Sequence, residues 1–465
     1  MNIFDIIGPV MIGPSSSHTA GAARIGYVAR KILAQEPVEA EIGLAGSFAQ
    51  TYKGHGTDRA LIAGILGMRP DDERLPRSLE LAKEQGLRFS FHTVQLPKCH
   101  PNTAVIKLTG KEGAVAQVEG ASVGGGNILI TRLNGMESAF TGQCDTLIIP
   151  HRDTPGVIAT VTQALALYKV NIGNFKLTRP IKGDMAIMTI ELDGQLVLEE
   201  QAEQLGRTKE QLLAVLDEDL TVMEQAARRG GRKDVHSHSG LTGGDGWRMS
   251  QYAQAGQTLS GPLAASAMAI AISVAEYNAA MGRIVASPTA GSCGILPGAV
   301  LVMMEQRGTS RQQACEALAA AGGIGLVLAQ QASIAGAEGG CQAECGSAAA
   351  MAAAALVELN GGTPEMAANA AAMAIKNQLG LVCDPVAGLV EVPCIKRNAG
   401  GVMCALCAAD MALAGIRSVI PVDEVVGAMR EVGESLPCSL RETAQGGLAA
   451  TPTGQALARK IFGAD

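Results

Sequence analysis

A chain of 465 residues predicts two to four domains. Hydrophobic residues at 47% and charged residues at 17% suit a well-buried globular protein and exclude disorder. A net charge of −7 gives no basic face for nucleic acid.

The opening MNIFDIIGPVMIGPSSSHTA holds Asp5 and no basic n-region, so no signal peptide is expected. Apolar stretches such as Ala348–Val357 fall short of a membrane span, which predicts a cytoplasmic protein without a membrane partner. There the 11 Cys are expected as reduced thiols. With aromatics at only 3%, the core must be filled by Ala, Leu, Val, Ile and Met.

In chain order, residues 1–144 read as an α/β domain, with VEAEIGLAGSF, NTAVIKLTG and GNILITRLNG as strands between Gly-rich turns. Residues 145–198, extending to about 220 at most, read as a small module. DTLIIP is a strand, Asp153-Thr154-Pro155-Gly156 a turn with a helix start, and VIATVTQALALYKV a helix. NIGNFKLTRP and GDMAIMTIELDG form a hairpin, and QLVLEEQAEQLGRT carries the next helix. This order resembles a βαββαβ ACT domain of ferredoxin-like fold, which implies a site for an amino-acid effector or a dimer contact. Glu199–Arg229 is a charged, helix-like connector. Residues 221–465 turn rich in Ala, Gly and Met and read as a mainly α-helical domain.

Eight Cys lie between Cys293 and Cys407, and Cys438 follows. Cys341 in AEGGCQAECGS, Cys383 in GLVCDP and Cys394 in EVPCIKRN have Gly or Pro nearby, which predicts helix ends or loops. Exposed backbone N–H groups there would lower thiolate pKa values. Their spacing matches neither a ferredoxin run nor a zinc finger, and Cys345 is a further candidate ligand. Cys404 and Cys407 form the more obvious CxxC, but in an Ala-rich helical run they read as small core residues.

Seven His occur. His18 follows Ser15, Ser16 and Ser17 in a loop entering a helix, a place where hydroxyls and free N–H groups bind carboxylates. Glycines flank His55 in Lys53-Gly54-His55-Gly56, which permits close approach of a ligand. His100 precedes Pro101 and Asn102. Ser122 opens the loop SVGGG, which reads as a turn or a backbone anion cradle. Asn278, Thr289, Arg397, Asn398 and Arg441 are candidate substrate contacts, Arg being suited to a carboxylate. His236 and His238 fall in a loop expected to be mobile.

AEGGCQAECGSAAAMAAAALVELNGGTPE, NQLGLVCDPVAGLVEVPCIKRNA, RETAQGGLAATPTG and LTGGDGWRMSQY resemble the α part of the iron–sulfur L-serine dehydratases. GPSSSHTAGAAR, GHGTDRAL and HPNTAVI resemble their β part, so the likeness spans nearly the whole chain. It implies a 4Fe-4S cluster on three thiolates, Cys341, Cys383 and Cys394, with one iron open to the substrate. It implies conversion of L-serine to pyruvate and ammonia, with threonine, cysteine and D-serine as alternative substrates. Active-site roles fall on His18, His55, His100 and Asn102, one histidine being the base that takes the Cα proton. Some relatives cap the open iron with a tail Cys; this chain ends KIFGAD, so no such cap is expected. ACT modules pair through their sheets, which predicts a homodimer or higher homo-oligomer. A pyridoxal-phosphate enzyme is not expected: Lys176 falls in the module's hairpin, and no other Lys has a phosphate-loop context.

Overall fold

The structure is a computed structural model that describes residues 3–142, 146–167, 172–179, 184–192 and 208–463. Strand β1 (Val10–Ile12) stands apart from the main N-terminal sheet. That sheet holds β2 (Pro37–Leu44), β3 (Arg88–Thr93), β4 (Thr103–Gly110), β5 (Val115–Gly124), β6 (Asn127–Leu133) and β7 (Met136–Phe140) in the order β3-β2-β4-β5-β6-β7. Only the β2–β3 pair is parallel. Alternation makes the inner face: Ala104, Ile106 and Leu108 are buried while Lys107 points out.

Helices Ala22–Leu33 and Thr57–Ile65 cover this face with Ile25, Ala29, Leu61 and Ile65. They cross closely because Gly26 and Gly64 lack side chains: a Cβ would fall 2.3 Å from the Leu61 carbonyl oxygen and 2.0 Å from that of Ala23. The predicted strand VEAEIGLAGSF ends early, at Leu44. Gly46 takes φ +54° against the Pro101 backbone and starts the helix Gly46–His55. That turn delivers Ser47, Thr51 and His55 to one place.

The next unit contains β8 (Thr146–Arg152), helix Val157–Leu167, β9 (Ile172–Thr178) and β10 (Met185–Leu192). Its sheet runs β8-β10-β9, with β10 antiparallel to both neighbours, as a split β-α-β unit requires. The helix expected over QLVLEEQAEQLGRT lies almost wholly outside the described residues. The unit is not detached: Ile187 joins the N-terminal core, and Thr189 Oγ1 sits 3.0 Å from Ser138 Oγ.

Helix Lys209–Gly230 is more than the expected connector. Leu212, Leu216, Leu220, Met223 and Ala226 along one face are buried in the C-terminal helical core. That core is built from Ala-rich helices, among them Pro262–Ala279, Ile295–Arg307, Arg311–Gln331, Ser347–Leu359, Pro364–Lys376 and Cys394–Leu413. Contrary to the sequence reading, Arg311–Gln331 is long and apolar enough to cross a membrane. Here it packs inside the protein, with Gly322 and Gly325 against Ile3 and Ile6. The first residues thus lie in the C-terminal core, and β1 pairs with β11 (Arg283–Val285).

Candidate active site

Ser15 caps a π-helical turn, Ser16–Gly21, that runs into helix Ala22–Leu33. Such wide turns re-aim side chains and recur at functional sites. Ser15 Oγ accepts from the His18 backbone N–H at 3.1 Å, and Ser16, Ser17 and His18 are all buried. His18 Nε2 lies 3.1 Å from Ser47 Oγ and 3.0 Å from Thr51 Oγ1. Its Nδ1 lies 3.4 Å from Glu442 Oε1. His55 stacks edge-on against His18 with ring centroids 4.3 Å apart, and its Nδ1 lies 4.0 Å from the same oxygen. Among the described residues, neither ring nitrogen of His55 has a hydrogen-bond partner. Burial holds both imidazoles neutral, lowering His55 to about 3 and His18 well below the usual histidine range.

His100 is differently employed. Its Nε2 sits 2.9 Å from Glu338 Oε1, and its Nδ1 accepts the Asn102 backbone N–H. Ser333 Oγ donates to the other Glu338 oxygen at 2.6 Å. The Asn102 side chain and Ser122 Oγ are buried without partners. The loop SVGGG forms the tight turn between β5 and β6, with Gly124 and Gly125 packed near Ile334, Ala335 and Pro288.

The C-terminal domain faces these histidines with thiols. Cys341 precedes a second π-helical turn, Gln342–Gly346, which leads into helix Ser347–Leu359. Cys383 lies in an extended loop beside Arg441, and Cys394 begins helix Cys394–Leu413. All three are buried and close enough to influence one another's charge. The hydrogen bond with Cys345, 3.4 Å away, draws Cys341 toward the thiolate. Burial and neighbouring acidic groups push Cys383 and Cys394 well up. Glu344 joins the set, with Oε2 3.9 Å from Cys383 Sγ, and burial raises its carboxyl to about 7. Burial works against the Arg397 cation, but the Cys341 and Cys394 thiols and Asp384 outweigh it and raise its pKa. The site is therefore acid-rich and short of positive charge. Three soft sulfur donors in such a place suit an iron–sulfur core.

The remaining expected contacts hold the site's walls. Asn278 Nδ2 donates to the carbonyls of Pro14 and Ala290, which ties the His18 loop to the C-terminal domain. Asn398 donates to Gly291 and Cys394 and accepts from Gly294 N–H. Thr289 Oγ1 lies 3.1 Å from Ser292 Oγ and also bonds Glu344. Arg397 donates to the Val382 carbonyl and Asp384, and Arg441 to the carbonyls of Glu338 and Glu434. Among the described residues, Arg441 Nε is buried without a hydrogen-bond partner. The loop of His236 and His238 is pinned by Glu391, which accepts from Ser239 and Thr242. Cys404 is half-buried and Cys407 exposed, so the pair is not a core pair.

Glu442 and Glu344 are candidate site residues that sequence reading passed over. Both lie inside motifs singled out for other residues, RETAQGG for its Arg and AEGGCQAECGS for its first Cys. Glu442 is held at φ +59°, with its N–H on the Cys383 carbonyl and its carbonyl accepting from Ser47 Oγ.

Residues 192–449 match the family model of the serine dehydratase alpha chain, and residues 2–132 that of the serine dehydratase beta chain. The probable L-serine dehydratase alpha chain of Bacillus subtilis is 53% identical over 272 residues, covering 58% of this chain and 90% of its own length. The probable beta chain of the same organism is 46% identical over 192 residues, covering 41% of this chain and 87% of its own. The L-serine dehydratase of Streptomyces coelicolor is 32% identical over 479 residues, covering 97% of this chain and 98% of its own. The paired thiol and imidazole walls thus come from the alpha-type and beta-type parts of one polypeptide, and the chain belongs to the serine dehydratase family of lyases, with its beta and alpha parts fused.

Proposed function

We propose that this protein converts L-serine to pyruvate and ammonia in the cytoplasm, with a 4Fe-4S cluster held by Cys341, Cys383 and Cys394. One observation carries the reading: the three buried thiols of the alpha-type part and the two buried imidazoles of the beta-type part meet through Glu442, whose Oε1 lies 3.4 Å from His18 Nδ1 and whose N–H bonds the Cys383 carbonyl. When bound, the cluster supplies a positively charged core and a Lewis-acidic iron that eases departure of the hydroxyl.

The chain's own residues do the rest. His55 is neutral and its ring nitrogens are unpartnered, so it is the base for the Cα proton. His100, engaged at both nitrogens, is a positioning residue that links Glu338 to Asn102. Asn102 and Ser122 offer unpartnered polar atoms to the substrate. Loss of the Cα proton and the β-hydroxyl leaves aminoacrylate, which tautomerises to an imine, and water then releases pyruvate and ammonia. Burial of the whole set keeps bulk water from the reacting atoms.

The split β-α-β unit acts in this proposal as an ACT-like module that senses an amino acid and pairs the chain as a homo-oligomer. Removing residues 145–193 is then expected to change the cooperativity of serine kinetics.

The decisive experiment is purification without air, followed by a visible spectrum and an assay for pyruvate from L-serine. Broad absorbance at about 400 nm, with activity lost on exposure to air, supports the reading. A colourless, air-stable enzyme overturns the cluster, and a brown protein inert on L-serine overturns the substrate.

A further inference from the structure

A cavity of about 830 Å³ opens where the beta-type part, the alpha-type part and the last helix, Pro452–Phe462, meet. Its beta-type wall is the stretch on either side of His55: Lys53, Gly54, Gly56, Asp58 and Arg59. Its alpha-type wall comes from the loops that carry His238 and Val390. A Cβ at Gly56 would meet no atom within 4 Å, so nothing fills the space beside the backbone that follows His55. The side chains of His18, His55 and His100 and the three thiols do not line the cavity. It stands beside the proposed centre, not within it.

The lining has two characters. Leu241, Leu389, Val390, Leu457, Ile461 and Phe462 give it an apolar surface, and Phe462 is exposed. Lys53, Arg59 and Lys460 give it three cations. Among the described residues, none of these three belongs to an ion pair. Lys53 Nζ lies 5.9 Å from the centre of the Tyr52 ring, a contact that neutralises no charge. The two carboxylates in the lining are engaged elsewhere. Both Glu391 oxygens accept from hydroxyls, Ser239 at 2.8 Å and Thr242 at 2.9 Å. Asp58 accepts the Arg59 backbone N–H at 2.8 Å, and the Lys53 and Arg59 side chains act on it from beyond ion-pair distance. Positive charge is therefore in excess here, although the whole chain carries −7. Apolar walls with a few charged groups, at a seam between domains, are the usual make-up of a small-molecule site.

We propose that this cavity binds a monocarboxylate anion whose apolar body is longer than that of serine or pyruvate. Lys53, Arg59 and Lys460 take the carboxylate, and the leucine, valine and phenylalanine side chains take the hydrocarbon. The zwitterion L-serine, with its own cation and a hydroxyl in place of hydrocarbon, matches this lining poorly. The site is thus a second one, independent of the L-serine reading given above.

The full-length protein, purified without air, is titrated calorimetrically with 4-methylpentanoate, with the neutral 4-methylpentanamide and with acetate. The acid and the amide share the apolar body; the acid and acetate share the carboxylate. The wild type is expected to bind the acid at least about 10-fold more tightly than either, the worth of one charge-assisted hydrogen bond. That preference should shrink as salt is added. Lys53→Gln combined with Arg59→Gln is expected to weaken the acid by about 10-fold, with the amide and the iron content unchanged. Lys460→Gln, on the last helix, tests the same charge without touching the beta-type wall and should weaken the acid alone. Equal binding of acid and amide, equal binding of acid and acetate, or an acid affinity unchanged in both variants overturns the site. L-serine turnover is measured on the same preparation. A protein inert on L-serine that still prefers the acid keeps this site and loses the serine reading, whereas an active protein without the preference loses this site alone.

Discussion

Cys345 Sγ lies 3.4 Å from Cys341 Sγ, one turn further along the same polypeptide stretch. Both are buried, and the hydrogen bond between them favours the thiolate at Cys341 while holding Cys345 as a thiol. In the proposed cluster site Cys345 supports Cys341 and is not itself a ligand. Cys341→Ala, Cys383→Ala and Cys394→Ala are each expected to abolish both the chromophore and the activity. Cys345→Ala is expected to retain iron and sulfide, with a shifted reduction potential, and Cys404→Ala and Cys407→Ala to change neither. Iron and acid-labile sulfide assays on protein prepared without air check this set.

Among the described residues, neither ring nitrogen of His55 has a hydrogen-bond partner, so removing the ring breaks no hydrogen bond, only its 4.0 Å approach to Glu442. His55→Gln is expected to lower kcat by about 10²- to 10⁴-fold, the range for a general base, with iron content unchanged. Exchange of the L-serine Cα hydrogen in deuterated water, followed by mass spectrometry, should fall in parallel. Retained exchange would move the base to another residue.

Gly336 leaves room that the thiol site needs. A Cβ there would fall 2.8 Å from Glu344 Oε2 and 3.3 Å from Cys383 Sγ. Gly336→Ala is expected to preserve the fold, by circular dichroism, while lowering iron occupancy severalfold. Full occupancy would show that the Cys383 loop yields more readily than its packing implies.

Asp219 provides a pH effect far from the thiols. It is buried in helix Lys209–Gly230, where burial first and the neighbouring Glu218 second raise its carboxyl to about 7. The folded state therefore keeps a proton that the unfolded chain gives up near pH 4. The stabilisation is complete below that point and is lost as pH rises through about 7. At about 1.4 kcal/mol per pH unit, the loss is of order 4 kcal/mol. Asp219→Asn is expected to raise Tm at pH 8 but not at pH 4, which a series of thermal melts would show.

Much of this was legible in the residues. Alternation in NTAVIKLTG and the turn chemistry around Asp153–Gly156 located strands and the central unit because local pattern and tertiary burial agree there. The thiols stood out because Gly and Pro surround them. Glu442 did not, because its role depends on a backbone bond to Cys383 and on histidines hundreds of residues earlier. The partners of Arg397 and Arg441 were not legible for the same reason: their carbonyls and carboxylate come from loops that no local pattern brings together. The amphipathic face of helix Lys209–Gly230 was visible, but its charged surface read as a linker until the core it covers was known.

The placement of Ile3 and Ile6 against Gly322 and Gly325 sets an order of assembly. Ile3 and Ile6 are made long before helix Arg311–Gln331 and stay without these packing partners until it folds. The clasp also works in reverse. A protease cut between residues 193 and 207 would sever the polypeptide, yet the front end would stay gripped by the rear domain through this segment and the β1–β11 pair.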